Sequence, residues 1–457
     1  MSEERKNCNV EDIVLTCADG IQIAAQRWTL LDADGAGGAG TGGGSDSSDT
    51  SNNSNHNNDT GRTEQRILCL HGWLDNCRSY YRLAPLLVTQ LQQQKSSRDD
   101  TTIDHENATS TTTTTEVTSH NTTPTTTIVV AIDFPGHGKS SHKSIDGPPQ
   151  ILSEFAYYVA EVIAQLGWDD ENNDDAAGNN DDDDKARTTT TTPSSSSSKK
   201  EKTKSKFTLI GHSMGCAVSI IYAACYPQQI SNLILLEGFG PRPHPEKNIA
   251  NSIRKHITTR MKLIRKPKPH SIFNTIDDAV KARCMTATTF PGKQYISTEA
   301  AYELVSRATT KKVLTPVTST TSTTTSQYGT KDDGDGDDDE SNSSRVQFLH
   351  DNRLYWPSLQ YMTSEQNRVL YETIQTYKVT NNNDATGGGG GVNVCVLTGK
   401  DGWPFDIQKD DNHMKLAIDT LQPSLVKELP GSHHFHVDPT TCEQVAESIV
   451  EFLQKKE

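Results

Sequence analysis

The sequence predicts an α/β fold with a mostly parallel central sheet flanked by helices. Short apolar runs such as "TIVVAI" and "FTLI" alternate along the chain with helical segments such as "ILSEFAYYVAEVIAQLGW". Strands that alternate with helices form parallel sheets covered on both faces. Loops rich in glycine follow the apolar runs, and this class of fold places its chemistry at those strand ends.

The elements follow this pattern in order along the chain. "DIVLTC" and "IQIAAQRW" flank "ADG" and predict a β-hairpin, and "RILCL" is a strand that ends at "HGWLDN". Residues 241–378 interrupt the alternation with four helical segments, which predict a helical cap inserted between two strands. The strand pattern resumes at "VNVCVLTGKDGWPFD" and ends with "SLVKELPGSHHFHVDP" and a C-terminal helix. We therefore expect core parts at 1–240 and 379–457 around the cap.

Five low-complexity segments, rich in Thr, Ser, Asn, Asp and Gly, interrupt these elements. They lack the apolar surface needed to offset the entropy of ordering them, and the whole chain is only 33% hydrophobic. The sequence predicts disordered insertions at about 31–64, 93–125, 169–205, 315–345 and 379–391. Removing them leaves roughly 300 residues, which fits one large domain.

Composition limits the cellular and chemical setting. The formal net charge of −15 gives no electrostatic footprint for nucleic acid. The nine cysteines are odd in number and scattered, as expected of reduced thiols. The sequence has neither the apolar core of a signal peptide nor a run of about 18 apolar residues. We expect an intracellular, cytoplasmic protein with no membrane span, and the oligomeric state stays open.

Ser213 is the candidate nucleophile. Gly211, His212, Ser213, Met214 and Gly215 form a G-x-S-x-G motif between the strand "FTLI" and the helix "CAVSIIYAAC". A tight strand-to-helix turn holds such a serine in a strained conformation, and the two glycines avoid clashes. The alternative is a glycine-rich turn whose serine merely caps the helix.

A serine nucleophile needs a histidine base and a carboxylate to orient it, in the chain order serine, acid, histidine. His433, after the last strand, is the first choice of base, with the register open to His434 and His436. Asp401 is the favoured acid and Glu237 the alternative, because each ends a strand. A metal site in "HHFH" is disfavoured, since acidic or cysteine partners at ligand spacing are absent.

The reaction also needs donors for a developing oxyanion. The backbone N–H of Met214 follows the nucleophile, and the backbone N–H of Trp73 lies in the "HGW" loop after an early strand. In that loop glycine allows the backbone to approach a substrate. His71 is expected to orient the loop rather than to transfer protons.

Taken together, "LHGW", "IDFPGHGKS", "GHSMG", "TGKDG" and "GSHHFH" resemble the α/β-hydrolase superfamily in order and rough spacing. "LEGFGP", "TIDDAVKAR", "STEAAYELVSRAT" and "FLHDNRLYWPS" resemble its serine hydrolase-like, kraken-type branch. The resemblance implies an α/β-hydrolase fold with an inserted helical cap, the Ser213, His433 and acid roles, and no metal or organic cofactor.

These observations predict a serine hydrolase of the carboxylic ester hydrolase class, acting on a small-molecule acyl substrate through an acyl-enzyme. Serine at the nucleophile position argues against the dehalogenase and epoxide hydrolase relatives, which use a carboxylate. Two alternatives stay open: an acyltransferase with the same residues, and a non-catalytic ligand receptor or interaction protein on the same fold. The residues that bind the substrate are unknown from sequence.

Overall fold

The computed structural model describes residues 7–31, 63–99, 125–144, 151–169, 206–267, 269–312, 345–358, 362–382, 391–403 and 413–455. Most residues of the five predicted insertions lie outside these ranges. The division into two core parts and a cap stays a prediction.

The described residues form eleven strands in two sheets. Their bounds are β1 Cys8–Thr16, β2 Gln22–Leu30, β3 Thr63–Leu70, β4 Thr125–Ile132, β5 Phe207–His212, β6 Ile230–Leu236, β7 Ile272–Phe273, β8 Thr309–Lys312, β9 Arg345–Phe348, β10 Asn393–Asp401 and β11 Leu425–Ser432. The large sheet has the order β1-β2-β4-β3-β5-β6-β10-β11. The β1/β2 hairpin is antiparallel and β2 runs antiparallel to β4, whereas all other neighbours in this sheet are parallel. The predicted α/β class with a mostly parallel sheet is confirmed.

Nine α-helices lie within the same described ranges. They are α1 Leu83–Asp99, α2 Leu152–Gln165, α3 Met214–Cys225, α4 Ile249–Arg265, α5 Ile276–Ala287, α6 Thr298–Arg307, α7 Ser364–Asn382, α8 His413–Leu421 and α9 Cys442–Gln454. None of them combines the length and apolar character that crossing a bilayer requires.

The sheet is covered by helices on both faces because successive side chains of a strand point to opposite sides. On β3, Leu68 and Leu70 belong to the apolar cluster under α2, α3, α7 and α8. Ile67 and Cys69 belong to the cluster under α1 and α9. The buried runs of the parallel strands therefore fill two cores, and the carboxyl ends of β3, β5, β6, β10 and β11 meet at one edge.

Between β6 and β10 the chain forms α4, α5, α6 and α7, as the four helical patterns predict, and also the small antiparallel sheet β7-β9-β8. The sequence does not predict this sheet, because its strands are only two to four residues long. Apolar side chains of α5 and α6, among them Val280 and Leu304, form a third cluster.

A buried ion pair ties these helices to the large sheet. Arg307, the last residue of α6, donates from Nε to Asp133 Oδ2 at 2.8 Å and from Nη1 to Asp12 Oδ1 at 2.8 Å. Asp133 follows β4 and also accepts the backbone N–H of Cys77 at 2.7 Å and of Lys139 at 2.8 Å. One carboxylate thus organises two loops at the carboxyl edge of the sheet and holds the end of α6 over them.

Candidate active site

Ser213 occupies a strained turn between β5 and α3. Its backbone has φ 52° and ψ −111°, a conformation that non-glycine residues rarely adopt. The Ser213 N–H donates to the carbonyl of Leu236 on β6 at 2.9 Å. The Ser213 side chain makes no capping hydrogen bond to α3. The geometry is therefore that of a strained strand-to-helix turn with a half-buried serine, and not that of a serine that caps the helix.

The two glycines of the motif are required by close backbone contacts. A Cβ atom at Gly211 would lie 2.6 Å from the carbonyl oxygen of Gly215. A Cβ atom at Gly215 would lie 2.2 Å from the carbonyl oxygen of Leu70 on β3. Both distances are far below van der Waals contact, so any larger residue would force the turn apart.

His433 lies directly after β11 and contacts the carboxylate of Glu237. Its Nδ1 is 3.0 Å from Glu237 Oε2. Since Nδ1 faces a carboxylate, we assign the ring proton to Nδ1, which leaves the lone pair of Nε2 to accept a proton. The His433 N–H donates to the side-chain oxygen of Gln294 at 3.0 Å, so the segment between α5 and α6 also holds this loop.

The Glu237 carboxylate is held by two further donors. Glu237 directly follows β6 with φ 56°, and its side chain is fully buried. Oε1 accepts the N–H of Gly399 at 2.5 Å, and Oε2 accepts the N–H of Trp403 at 2.8 Å. A Cβ atom at Gly402 would lie 2.3 Å from Oε1, so the loop after β10 closes tightly around this carboxylate. The arrangement orients Glu237 towards His433.

Asp401, the favoured acid in the sequence analysis, is not the carboxylate that hydrogen-bonds to His433. It is the last residue of β10 and pairs in register with Ser432, next to a break in the β10/β11 ladder. No hydrogen bond or ion pair joins Asp401 to His433 in the described part of the chain. The structure thus brings together His433 and Glu237, the second choice of acid.

His434 and His436 lie in different surroundings from His433. His434 Nε2 is 3.2 Å from Asp75 Oδ2, whose other oxygen accepts from Arg283 of α5 at 2.9 Å. His436 is fully buried, and burial lowers its pKa to about 3. Its ring lies 4.1 Å from that of His212, centroid to centroid. His436 is therefore a neutral packing residue at physiological pH.

His212, the residue before the nucleophile, contacts the loop of His433. Its Nε2 is 2.9 Å from the backbone carbonyl of His433, and its ring is fully buried. Burial, together with the charges of neighbouring histidines, lowers the pKa of His212 well below its usual value, so the neutral ring donates this hydrogen bond. The sequence analysis did not predict this contact. Its only signal in the sequence is that the second position of the G-x-S-x-G motif is a histidine, whose ring nitrogens can form hydrogen bonds.

The "HGW" loop after β3 approaches the same edge. The N–H of Phe134 donates to His71 Nε2 at 3.0 Å, so His71 carries its proton on Nδ1 and donates to the carbonyl of Gly72 at 2.7 Å. His71 is buried, and its two hydrogen bonds hold the loop after β3 against the residues that follow β4. Trp73 follows, with its indole N–H donating to Leu354 at 3.2 Å, and Met214 is the first residue of α3. The first backbone N–H groups of a helix have no partner within that helix.

The fold and this turn agree with a comparison to known families. Residues 67–330 match the model of the alpha/beta hydrolase family, which is more than half of the chain. The chain belongs to the alpha/beta hydrolase family.

Its similar relatives are serine hydrolase-like proteins, as the sequence motifs predict. The serine hydrolase-like protein of Danio rerio is 26% identical over 198 residues, which are 43% of this chain and 37% of that protein. A serine hydrolase-like protein of Dictyostelium discoideum is 23% identical over 402 residues, which are 86% of this chain and 75% of the relative. The chain thus spans little more than a third of the Danio rerio relative.

A solved structure shows the same fold. A hypothetical protein of Pseudomonas aeruginosa PAO1 superposes with a TM-score of 0.56 at 20% identity, over 97% of this chain and 100% of its own.

Proposed function

We propose that this chain is a serine hydrolase that cleaves a carboxylic ester or a related acyl substrate, with Ser213 as nucleophile, His433 as base and Glu237 as acid. The observation that carries the proposal is the 3.0 Å contact of His433 Nδ1 with the buried Glu237 carboxylate. Ser213 lies in a strained turn after β5, and β5 is paired with β6, the strand that Glu237 follows.

The chemistry follows from these positions. His433 Nε2 takes the proton of Ser213 as the serine oxygen attacks the substrate carbonyl, and the negative charge moves to the carbonyl oxygen. The backbone N–H groups of Trp73 and Met214 donate to that oxyanion. His433 then gives its proton to the leaving alcohol, and the acyl group stays on Ser213.

The second half of the cycle uses the same groups. Water loses a proton to His433 and attacks the acyl carbon, and the returned proton restores the Ser213 hydroxyl as the carboxylic acid leaves. Glu237 keeps its negative charge throughout and stabilises the protonated His433 ring. His212 fixes the carbonyl of His433 and so limits rotation of the loop that carries the base.

Glu237 is a better candidate acid than Asp401 on geometric grounds. It follows β6, the strand next to the nucleophile strand β5, and its positive φ turns the side chain towards His433. Two backbone N–H groups, that of Gly399 near the end of β10 and that of Trp403 just after it, keep it in place. Asp401 is the last residue of β10, the next strand in the sheet, and its backbone pairs with Ser432.

The test is labelling with a fluorophosphonate probe, which phosphonylates an activated serine without requiring the natural substrate. Wild type should be labelled and Ser213→Ala should not. Ser219→Ala is the matched control, because Ser219 is buried on the same helix α3 and should label like wild type. If wild type stays unlabelled where a known serine esterase reacts, the catalytic proposal fails and a ligand-receptor role is favoured.

A further inference from the structure

Helix α4 lies in a stretch of the chain with an unusual charge. From residue 247 to residue 276 the sequence contains eight Lys and Arg residues and no Asp or Glu. The whole chain, in contrast, has a formal net charge of −15. The basic residues of the helix and its C-cap are Arg254, Lys255, Arg260, Lys262, Arg265 and Lys266.

The same helix exposes a stripe of large apolar side chains. Ile253, Ile257, Met261 and Ile264 have exposed fractions of 40%, 51%, 46% and 59%. Their spacing of four, four and three residues places them on one face of an α-helix. We call these four residues the α4 stripe. Exposed apolar side chains that are scattered singly are ordinary, but a continuous row is not.

The α4 stripe is not the face that holds the helix against the protein. That contact is made by His256, which is buried and hydrogen-bonds through Nδ1 to the carbonyl of Pro357 at 2.6 Å. The Arg260 guanidinium lies 5.2 Å from the ring centroid of Trp356 on the same side. At about 100° per residue, His256 points roughly 95° and Arg260 roughly 55° away from the centre of the α4 stripe.

Arginines flank the α4 stripe on both sides. On a helical projection, Arg260 lies at one edge of the stripe, and Arg254 and Arg265 lie at the other. An apolar face bordered by cations is the pattern of helices that lie in the plane of a membrane interface. Acyl chains accept the apolar side chains, while anionic headgroups pair with the arginines.

We propose that the α4 stripe and its flanking arginines bind the surface of a membrane that contains anionic lipids. A second copy of the chain fits less well, because a two-fold pairing of this helix would place its cations opposite one another with no carboxylate of the helix between them. The inference does not depend on the proposed chemistry, because α4 contributes no group to the candidate active site.

Flotation with lipid vesicles tests the proposal. Full-length protein should float with vesicles of phosphatidylcholine that contain about 30% phosphatidylserine, and much less with pure phosphatidylcholine vesicles. Binding should weaken when salt rises from about 0.1 M to about 0.5 M, because the Debye length shrinks. Ser213→Ala should bind as wild type does, which separates this result from the catalytic proposal.

Variants separate the two components of binding. The triple change Ile257→Ser, Met261→Ser and Ile264→Ser should lower vesicle affinity by more than about tenfold, because each large side chain loses its burial in lipid. Arg254→Gln with Arg265→Gln should lower it by about thirtyfold on anionic vesicles alone. Val369→Ser, a change of an exposed residue on α7, is the matched control and should leave binding unchanged.

Three results would overturn the proposal. The first is wild type that floats equally with neutral and anionic vesicles or with neither. The second is full vesicle binding by the triple variant, with circular dichroism showing that it is folded. The third is a wild-type dimer in sedimentation that the triple variant converts to monomer, since the α4 stripe would then be covered by a second copy.

Discussion

Replacing Glu237 by Gln removes the negative charge that faces His433 and nearly preserves the shape of the side chain. Three donors point at the two oxygens of Glu237: His433 Nδ1 and the N–H groups of Gly399 and Trp403. A glutamine has only one oxygen and therefore cannot accept from all three. Either a backbone donor loses its acceptor or the amide N–H₂ faces His433. In the second case His433 takes the wrong tautomer and Nε2 no longer accepts the serine proton.

The expected loss is large. The equivalent change of the acid in a serine protease lowers kcat by about 10⁴-fold, which corresponds to about 5 kcal/mol of transition-state stabilisation. We expect Glu237→Gln to slow turnover of an activated ester by about 10³ to 10⁴-fold. Asp401→Asn should change it by about twofold or less, because the described residues show no hydrogen bond or ion pair between Asp401 and His433.

The assay is hydrolysis of p-nitrophenyl acetate together with the rate of fluorophosphonate labelling. Thermal unfolding of each variant shows whether the change at the buried Glu237 has unfolded the protein, and rates are compared only among folded variants. A fall of more than about 100-fold in Asp401→Asn, with Glu237→Gln within about tenfold of wild type, would refute the assignment. The roles of the two carboxylates would then be reversed.

Three further predictions concern stability. Arg307→Met should lower the free energy of unfolding by about 3–5 kcal/mol in a denaturant titration, because the buried Asp133 carboxylate loses its cationic partner. Arg27→Met removes a surface ion pair and should lower it by less than about 1 kcal/mol in the same titration. Between pH about 3 and 6.5 an unfolded chain protonates His436 while the folded protein does not, so stability should fall as the pH is lowered. In His436→Phe this pH slope should be smaller by up to about 1.4 kcal/mol per pH unit, and an unchanged slope would contradict the burial argument. Gly215→Ala should cost about 2 kcal/mol or more by unfolding titration, whereas Ser219→Ala on the same helix should be nearly neutral.

The parts of the site that are formed by residues adjacent in the chain were predictable from sequence. The turn at Ser213 follows from a strand, two glycines and a helix that are contiguous in the chain, and each of these local signals has one structural outcome. The parallel strands were predictable for the same reason, because buried runs bounded by glycine loops are distinctive.

Which carboxylate faces His433 was not predictable, because it depends on contacts between distant segments. Asp401 and Glu237 both end strands, and sequence alone does not show which backbone turns its side chain towards the last loop. The positive φ of Glu237 and the break in the β10/β11 ladder decide this. In the same way, the partner that distinguishes His434 from His433, Asp75, is 359 residues away in the chain.

The positions of the low-complexity segments also have a consequence for the chemistry. The parallel strands β3, β4, β5 and β10 each begin within two residues of the end of such a segment, at about 31–64, 93–125, 169–205 and 379–391 in the sequence. Ser213, Glu237 and His433 follow the opposite ends of parallel strands, about 20 Å away along the sheet. Changes in chain length at these four junctions therefore join the strands at the end remote from the proposed nucleophile, Ser213. We therefore expect a reporter domain spliced into any of these segments to join the described strands at the end away from Ser213.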